Sequence, residues 1–399
     1  MSLFCNKQDG NLRILHIIAS VAKETGGPVE GLTQSVQYRL TQGQHIEVVT
    51  LDDVNASFLN EFPCKVHGVG PTPKKYGYTP KLAQWIVENA HRFDAAVIHG
   101  LWNHGAVGGW QGCVKSGLPY VLFTHGMMDP WFKKTYPLKH WFKQLFWLVQ
   151  GRALRDASEV LFTSEEEKRL AHGVFWGYRY NPRVVAYAAA DVPAENVEDK
   201  TAFLKCVPNL NGQPYFLYLS RIHEKKGCDL LLEGFAKAVK RNELQLVMAG
   251  PCHNDFIDRL KDLAKKLGIS NRVHWAGMLK GAAKSGAFRG AEAFVLTSHQ
   301  ENFGIAVAEA LAYGKPVLIS DQINIWREIE KGGAGIIDSD TIEGATSVIA
   351  KWEDMSIEHR RQMSLSARKV YVENFTVKAA AEDLTDVLKK AIKSGVGIV

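Results

Sequence analysis

Glu301 and Glu309 are separated by seven residues in the stretch ENFGIAVAEALAYGKPV, and the two carboxylates could do different work there. Residues 294–296 are apolar and suit a short buried strand. Residues 298–304 are polar and end in glycine, and Ile305, Val307, Ala308, Leu311 and Ala312 then recur at helical spacing. Gly314 and Pro316 stop that helix before another strand begins at Val317. Glu301 therefore falls where a loop enters a helix. Backbone N–H groups around Phe303, Gly304 and Ile305 would point at a ligand, and the helix dipole favours negative charge there. A carboxylate beside such a site accepts hydrogen bonds from hydroxyls, while Glu309, inside the helix, could reach another part of the same molecule. A ligand with anionic and polyhydroxyl parts fits, such as a sugar nucleotide. Spacing alone describes an ordinary helix-surface glutamate and a loop glutamate at least as well.

Other residues could meet the phosphates or the sugar. In SRIHEKKGCDLLLEGFAKAV, Arg221 and Lys226 flank a loop that Gly227 ends, between a strand over 215–219 and a helix over 230–239. Strand, basic loop and helix start make a diphosphate site; cations on a surface turn are the plainer alternative. His99 follows a strand over 94–98 and His125 one starting at Tyr120, and each precedes a glycine. A lone histidine at a strand end usually makes a structural hydrogen bond, but two in equivalent places strengthen the case for a site. Gly26, Gly27 and Pro28 follow the first strand. Adjacent glycines let backbone approach a ligand closely, although a plain turn serves equally and the spacing is not G-x-G-x-x-G.

These residues need strand ends to hold them, and the chain supplies an alternating pattern. Strands are expected over 12–19, 46–51, 94–98, 120–123, 157–163 and 184–186, then over 215–219 and 245–249. Helices are expected over 29–40, 80–90, 106–116, 256–267 and 358–371, with a last one from Thr376 whose Ala380, Leu384, Val387 and Leu388 share a face. The segment SEEEKRLAH has a capping serine and acids in its first turn. Such alternation argues for βαβ units and mainly parallel sheets, in which ligands bind beyond the carboxyl ends of the strands. Residues 190–200 are polar, contain proline and lack apolar periodicity, and suit a linker. Residues 131–154 interleave Trp131, Phe132, Trp141, Phe142, Phe146 and Trp147 with Lys133, Lys134, Lys139 and Lys143. Either the aromatics pack inside the domain with the lysines solvated, or the segment is an interfacial patch with lysines against anionic headgroups.

At 399 residues the chain has room for two ordinary domains, and 46% hydrophobic with 23% charged residues is a globular composition. A formal charge of +6 suits anionic ligands or an anionic membrane surface; with no basic run or nucleic-acid motif, no nucleic-acid partner is expected. The six cysteines include no C-x-x-C pair, so neither a zinc site nor a redox dithiol is suggested, and scattered cysteines suit a reducing cytosol. The opening MSLFCNKQDGN does not read as a secretory leader, and no apolar run is long enough to span a bilayer. A cytoplasmic location follows, with room for peripheral contact at the inner face of a membrane.

The acids and their surroundings resemble the E-x7-E motif of the retaining glycosyltransferases of family GT4. The resemblance implies an α/β chain of GT-B fold: two Rossmann-like domains facing each other across a cleft, with a C-terminal helix crossing back to the first. Residues 1–191, with the helix 376–399, would bind the acceptor, and residues 192–375 the donor. In that family the first glutamate contacts donor-sugar hydroxyls and the second the nucleotide ribose, roles that fall on Glu301 and Glu309. Asn302, Phe303, Gly304 and Ile305 match the segment facing the donor. S-R-I-x-x-x-K-G resembles the family's donor-phosphate motif, which assigns Arg221 and Lys226 to the diphosphate. His274–Gly277 resembles the strand bordering the base, Gly27 the glycine-rich loop lining the cleft, and His125, in THGMMDPW, the histidine that reaches the donor sugar. His99 matches a second cleft position.

The resemblance implies a nucleoside-diphosphate sugar as co-substrate, UDP-linked before GDP-linked, with no cofactor and no metal. Arg221, Lys226 and the helix start near Gly304 would stabilise charge on the leaving diphosphate, and His125 and Glu301 would act at the sugar. A glycan or lipid-linked glycan in polysaccharide biosynthesis is the implied acceptor. A sugar-nucleotide epimerase or other non-transferring enzyme is the alternative, although no acid–base set for it stands out. A silent binding protein is a third, weaker one.

Overall fold

The computed structural model describes residues 12–22, 25–70, 76–252 and 255–395. The opening segment weighed as a leader, with Cys5, lies outside them. By their contacts the residues divide into unit 1, Met1–Tyr187 with Val377–Val399, and unit 2, Ala188–Thr376.

Unit 1 is built on a parallel sheet of β1 (Arg13–Ile18), β2 (His45–Thr50), β3 (Lys65–Gly68), β4 (Ala95–His99), β5 (Tyr120–Phe123), β6 (Val160–Phe162) and β7 (Pro182–Val184). Their order is β3-β2-β1-β4-β5-β6-β7. Strands covered on both faces read as near-continuous apolar runs; β4, AAVIH, is buried throughout. The crossovers carry α1 (Gly27–Thr41), α2 (Pro80–Asn89), α3 (His104–Ser116), α4 (Trp131–Thr135), α5 (Pro137–Arg155) and α6 (Glu165–Ala171). Local signals set several helix starts. Asn103 Oδ1 accepts from Ala106 N at 3.3 Å, and Ser164 Oγ accepts from Glu167 N at 3.0 Å.

Unit 2 opens with α7 (Glu198–Cys206) and holds a parallel sheet of β8 (Tyr215–Leu219), β9 (Gln245–Ala249), β10 (Val273–Gly277), β11 (Ala293–Leu296), β12 (Val317–Ser320) and β13 (Gly335–Asp338). The order is β10-β9-β8-β11-β12-β13. Helices α8 (Cys228–Ala238), α9 (Phe256–Lys266), α10 (Gly281–Gly290), α11 (Ile305–Ala312), α12 (Trp326–Lys331), α13 (Ile342–Glu353) and α14 (Ile357–Asn374) complete it. The last helix, α15 (Val377–Ser394), belongs to unit 1. Its Leu384, Val387, Leu388 and Ala391 pack with Ile14, Val97, Val121 and Leu161 of that sheet.

The structure corrects the sequence reading in several places. The expected linker ends early: Glu198 to Lys200 are the first turn of α7, and Asp199 is buried with Oδ2 3.1 Å from Arg289 Nε. A charged turn whose carboxylate is paired inside a fold looks the same in sequence as a solvated one. The strand expected over 184–186 lies at Pro182–Val184, in register with Val160–Phe162. β3 was not foreseen, being a four-residue edge strand, KVHG, with no fully buried residue. In the segment 131–154 the aromatics divide: Trp147 is fully buried, whereas Trp141 and Phe142 are exposed.

Candidate functional site

In the sheet of unit 2, β8 lies between β9 and β11. Chain order reverses there, and this is where open α/β sheets bind ligands, beyond the strand ends. After β8 the chain passes Arg221 and makes a short 3-10 turn, Glu224–Lys226, before α8. Gly227 joins the two at φ +60°, and a Cβ on it would lie 2.0 Å from the Thr297 carbonyl oxygen. Only glycine fits. The loop after β11 is tied to this turn: Thr297 Oγ1 donates to Gly227 O at 2.7 Å, and His299 N to Lys225 O at 2.9 Å. The two strand ends therefore form one assembly. Within it the nearly buried ammonium of Lys226 pairs with the Glu301 carboxylate, 75 residues on. A buried cation needs such a partner, because desolvation alone costs several kcal/mol. Arg221, in contrast, is exposed and its guanidinium has no ion pair among the described residues.

Glu301 is held by its backbone as well, donating to Gln322 O at 3.0 Å and accepting from Asn324 N at 3.1 Å. Asn302 Oδ1 lies 3.5 Å from Asn324 Nδ2. The Phe303 ring turns inward onto Phe375, with centroids 5.5 Å apart, so only its backbone can face a ligand. Gly304, at φ +75°, caps α11. The N–H groups of Gly304 and Ile305 make no hydrogen bond among the described residues, which leaves this helix start open to an anion. Glu309 is no surface residue: it is buried, and Lys284 Nζ of α10 lies 2.6 Å from its Oε1. Gly277, at φ +65°, ends β10 two strands from β8, and its carbonyl accepts from Gly250 N at 2.8 Å.

In unit 1, Gly27 is the first residue of α1, behind Gly26 at φ +90°. His99 ends β4 and is buried; His125 follows β5 and is partly exposed. His99 Nδ1 lies 3.0 Å from His125 Nε2. On its other side His99 Nε2 lies 2.9 Å from Nδ1 of His16, within β1. Burial pulls His125 down to about 4, and burial with nearby Arg39 pulls His16 down to about 3. His99 is also held well below the ordinary value, by burial and then by its two neighbours. All three rings are neutral at pH 7.

Two family models divide the chain: "Glycosyl transferase 4-like domain" matches residues 26–188 and "Glycosyl transferases group 1" residues 200–370. The chain belongs to the group 1 glycosyltransferases. Its fold is GT-B. Anabaena HepE, crystallised with UDP and glucose, superposes with a TM-score of 0.75 at 18% identity, over 95% of this chain and 100% of that one. Sucrose-phosphate synthase of Thermosynechococcus elongatus gives 0.73 at 17%, over 96% and 100%. Among curated sequences, an uncharacterized glycosyltransferase of Methanocaldococcus jannaschii is 27% identical over 201 residues, 49% of this chain and 50% of the relative. Mannosylfructose-phosphate synthase of Agrobacterium fabrum is 31% identical over 123 residues, 29% and 27% of the two chains. The chain thus spans half or less of these curated relatives.

Two features of this group 1 glycosyltransferase were missed in its sequence. Lys284 sits in GMLKGAAKSGAF, where small residues give little pattern, and His16 sits inside an apolar strand where a single histidine reads as core. A third feature was only partly foreseen. Phe132, Tyr136 and Phe175 wall a cavity of about 230 Å³ that Asp129, Lys139, His140 and Lys143 also line. Lys143 Nζ lies 4.5 Å from the Trp102 ring centroid, and burial with nearby Lys139 lowers its pKa. Along α5, Leu138, Trp141, Phe142, Leu145, Leu148 and Val149 are all exposed. Their spacing places them on one helix face. Among the described residues no helix is long and apolar enough to cross a membrane, and no cluster of three histidines, cysteines or acids is placed to hold a metal.

Proposed function

We propose that the chain is a retaining glycosyltransferase that moves a sugar from a UDP-sugar, or less favourably a GDP-sugar, to a lipid-linked glycan acceptor. The observation that carries this is the Lys226–Glu301 pair beyond the ends of β8 and β11, with the α11 start following Glu301 and Arg221, without an ion pair among the described residues, in the loop that leads to Lys226. An arriving diphosphate offers Lys226 a second anion and gives Arg221 its first. Glu301 then turns lone pairs to sugar hydroxyls, while Glu309 serves the ribose. As the sugar–phosphate bond breaks, charge grows on the diphosphate, and both cations and the helix dipole stabilise it there. Such protein cations make a metal unnecessary. Front-face attack by the acceptor hydroxyl, its proton passing to the leaving phosphate, needs no enzyme nucleophile and gives retention.

The exposed face of α5 favours a lipid-linked acceptor over a free glycan. Aromatic and aliphatic groups on one face, with Lys133, Lys134, Lys139 and Lys143 nearby, suit a membrane surface with anionic headgroups. The cavity beside them has aromatic walls for a sugar face and cations for a phosphate.

A screen of UDP- and GDP-sugars, with and without lipid-diphosphate acceptors and with EDTA present, tests the proposal. Acceptor-dependent nucleotide release that survives EDTA is expected. An isomerised donor with no release would establish the epimerase alternative. Loss with EDTA, restored by Mg²⁺ or Mn²⁺, would refute metal independence.

A further inference from the structure

His16, His99 and His125 form a file running from the buried interior of unit 1 to its surface. β1, β4 and β5 are adjacent strands, which brings the rings together. Their centroids are 5.2 Å apart for His16 and His99 and 5.3 Å for His99 and His125. Each contact between ring nitrogens needs one N–H and one lone pair, and a neutral imidazole has only one N–H. His99 therefore donates in one direction and accepts from the other. Only two arrangements satisfy both contacts. In the first, every N–H points inward, and the proton of His16 ends on Nε2. In the second, His16 Nδ1–H donates to His99, His99 Nδ1–H donates to His125, and the proton of His125 ends on Nδ1.

His16 Nε2 separates the two. It is buried and has no hydrogen-bond partner among the described residues. An orphaned buried N–H is less tolerable than an unused lone pair. The first arrangement creates that orphan; the second leaves a bare lone pair there. Arg39 of α1, buried and without a carboxylate partner among the described residues, opposes a cation at this end of the file. At the outer end, His125 Nδ1 has no hydrogen bond among the described residues, and the ring is partly exposed. Phe123 stacks on it and Tyr187 meets it edge-on. The residue is held at φ +48°, a left-handed conformation that non-glycine residues avoid unless their surroundings impose it. Glu167 imposes it, accepting from Thr124 Oγ1 at 2.7 Å and from Gly126 N at 2.6 Å.

We propose that His16 and His99 are positioning residues that fix His125 as a neutral ring presenting Nδ1–H outward, so that His125 donates a hydrogen bond to a ligand oxygen and takes no proton from the acceptor. The identity of the ligand rests on the glycosyltransferase function; the direction of the file does not.

The full-length, ligand-free protein with ¹⁵N-labelled histidine rings tests the file at pH 7. Long-range ¹H–¹⁵N correlation separates protonated from bare ring nitrogens. A protonated Nδ1 and bare Nε2 on His125, with none of the three rings cationic, are expected; a bare Nδ1 overturns the proposal. His99→Leu should return His125 to a mixture of tautomers and slow sugar transfer on the order of 10- to 100-fold. His99→Gln can still donate an amide N–H to His125 Nε2 and should keep the Nδ1–H form and most of the rate. An unchanged His125 tautomer in His99→Leu would remove the positioning role. Should that variant fail to fold, the wild-type and His99→Gln spectra still decide. Should no sugar donor be turned over, the spectra stand and only the ligand assignment fails.

Discussion

Lys284 Nζ lies 2.6 Å from Glu309 Oε1, fixing a buried carboxylate of α11 to a half-exposed lysine of α10. If Glu309 holds the ribose, Glu309→Gln should weaken free-nucleotide binding, while Glu301→Gln should spare it and lower turnover. Lys284→Met should remove the ion pair made to the buried Glu309 carboxylate and lower stability by about 1–3 kcal/mol. Calorimetry with UDP and thermal unfolding check these. Lost UDP binding in Glu301→Gln with full binding in Glu309→Gln would reverse the two roles.

Arg221 and Lys226 should separate function from stability. Each should contribute about 1.5–3 kcal/mol to donor binding through charge-assisted contacts. Arg221 is exposed and without an ion pair among the described residues, so Arg221→Ala should leave the unfolding temperature unchanged. Lys226→Ala strands Glu301 and should lower both donor affinity and stability. Wild-type donor affinity in both variants would sink the phosphate assignment.

The neutral histidines set a pH dependence. Burial, with Arg39 nearby, lowers His16 to about 3 in the folded chain, whereas an unfolded histidine titrates near 6.5. The unfolded state therefore binds the proton first, and the stabilisation present above pH 6.5 is lost as pH falls towards 3. At pH 5 the loss from this ring is about 2 kcal/mol. Chemical unfolding from pH 7.5 to 4.5 should show the decline, and His16→Phe should flatten it. Equal slopes in the two proteins would mean that His16 is not held neutral.

The α5 face should carry any membrane association. Burying one large apolar side chain contributes about 1.5–3 kcal/mol, so Trp141→Glu with Leu145→Glu should reduce co-sedimentation with anionic vesicles more than tenfold. Transfer to a water-soluble acceptor analogue should be unaffected. A wild-type protein that self-associates and ignores vesicles would assign the face to a second copy of the chain.

Much of this architecture could be read from residue order. β8 and β9 fall at the expected residues because each is a short apolar run between turn signals. The Glu301 loop and the helix behind it followed from Gly304, the apolar spacing and Gly314. Pairings were not legible. Lys226 with Glu301 and Lys284 with Glu309 join residues 75 and 25 apart, and nothing local in either partner marks the other. The histidine file was half visible: His99 and His125 stand at strand ends before glycines, while His16 lies mid-strand and acquires meaning only from the sheet order. For residues 131–154 the sequence left burial and an interfacial patch both open, since a helix with aromatics on several faces does not say which face finds a neighbour; the structure buries Trp147 and exposes Trp141 and Phe142.

Unit 1 is interrupted in sequence by all of unit 2, and α15 covers the face of its sheet that carries Ile14, Val97 and Val121. On a ribosome, the seven strands of that sheet emerge long before the helix that shields them. Unit 2 is contiguous and has all its own residues first. The half of the molecule translated earliest is thus the last to be completed, and until α15 arrives its nascent sheet presents bare aliphatic surface to whatever chaperones attend synthesis.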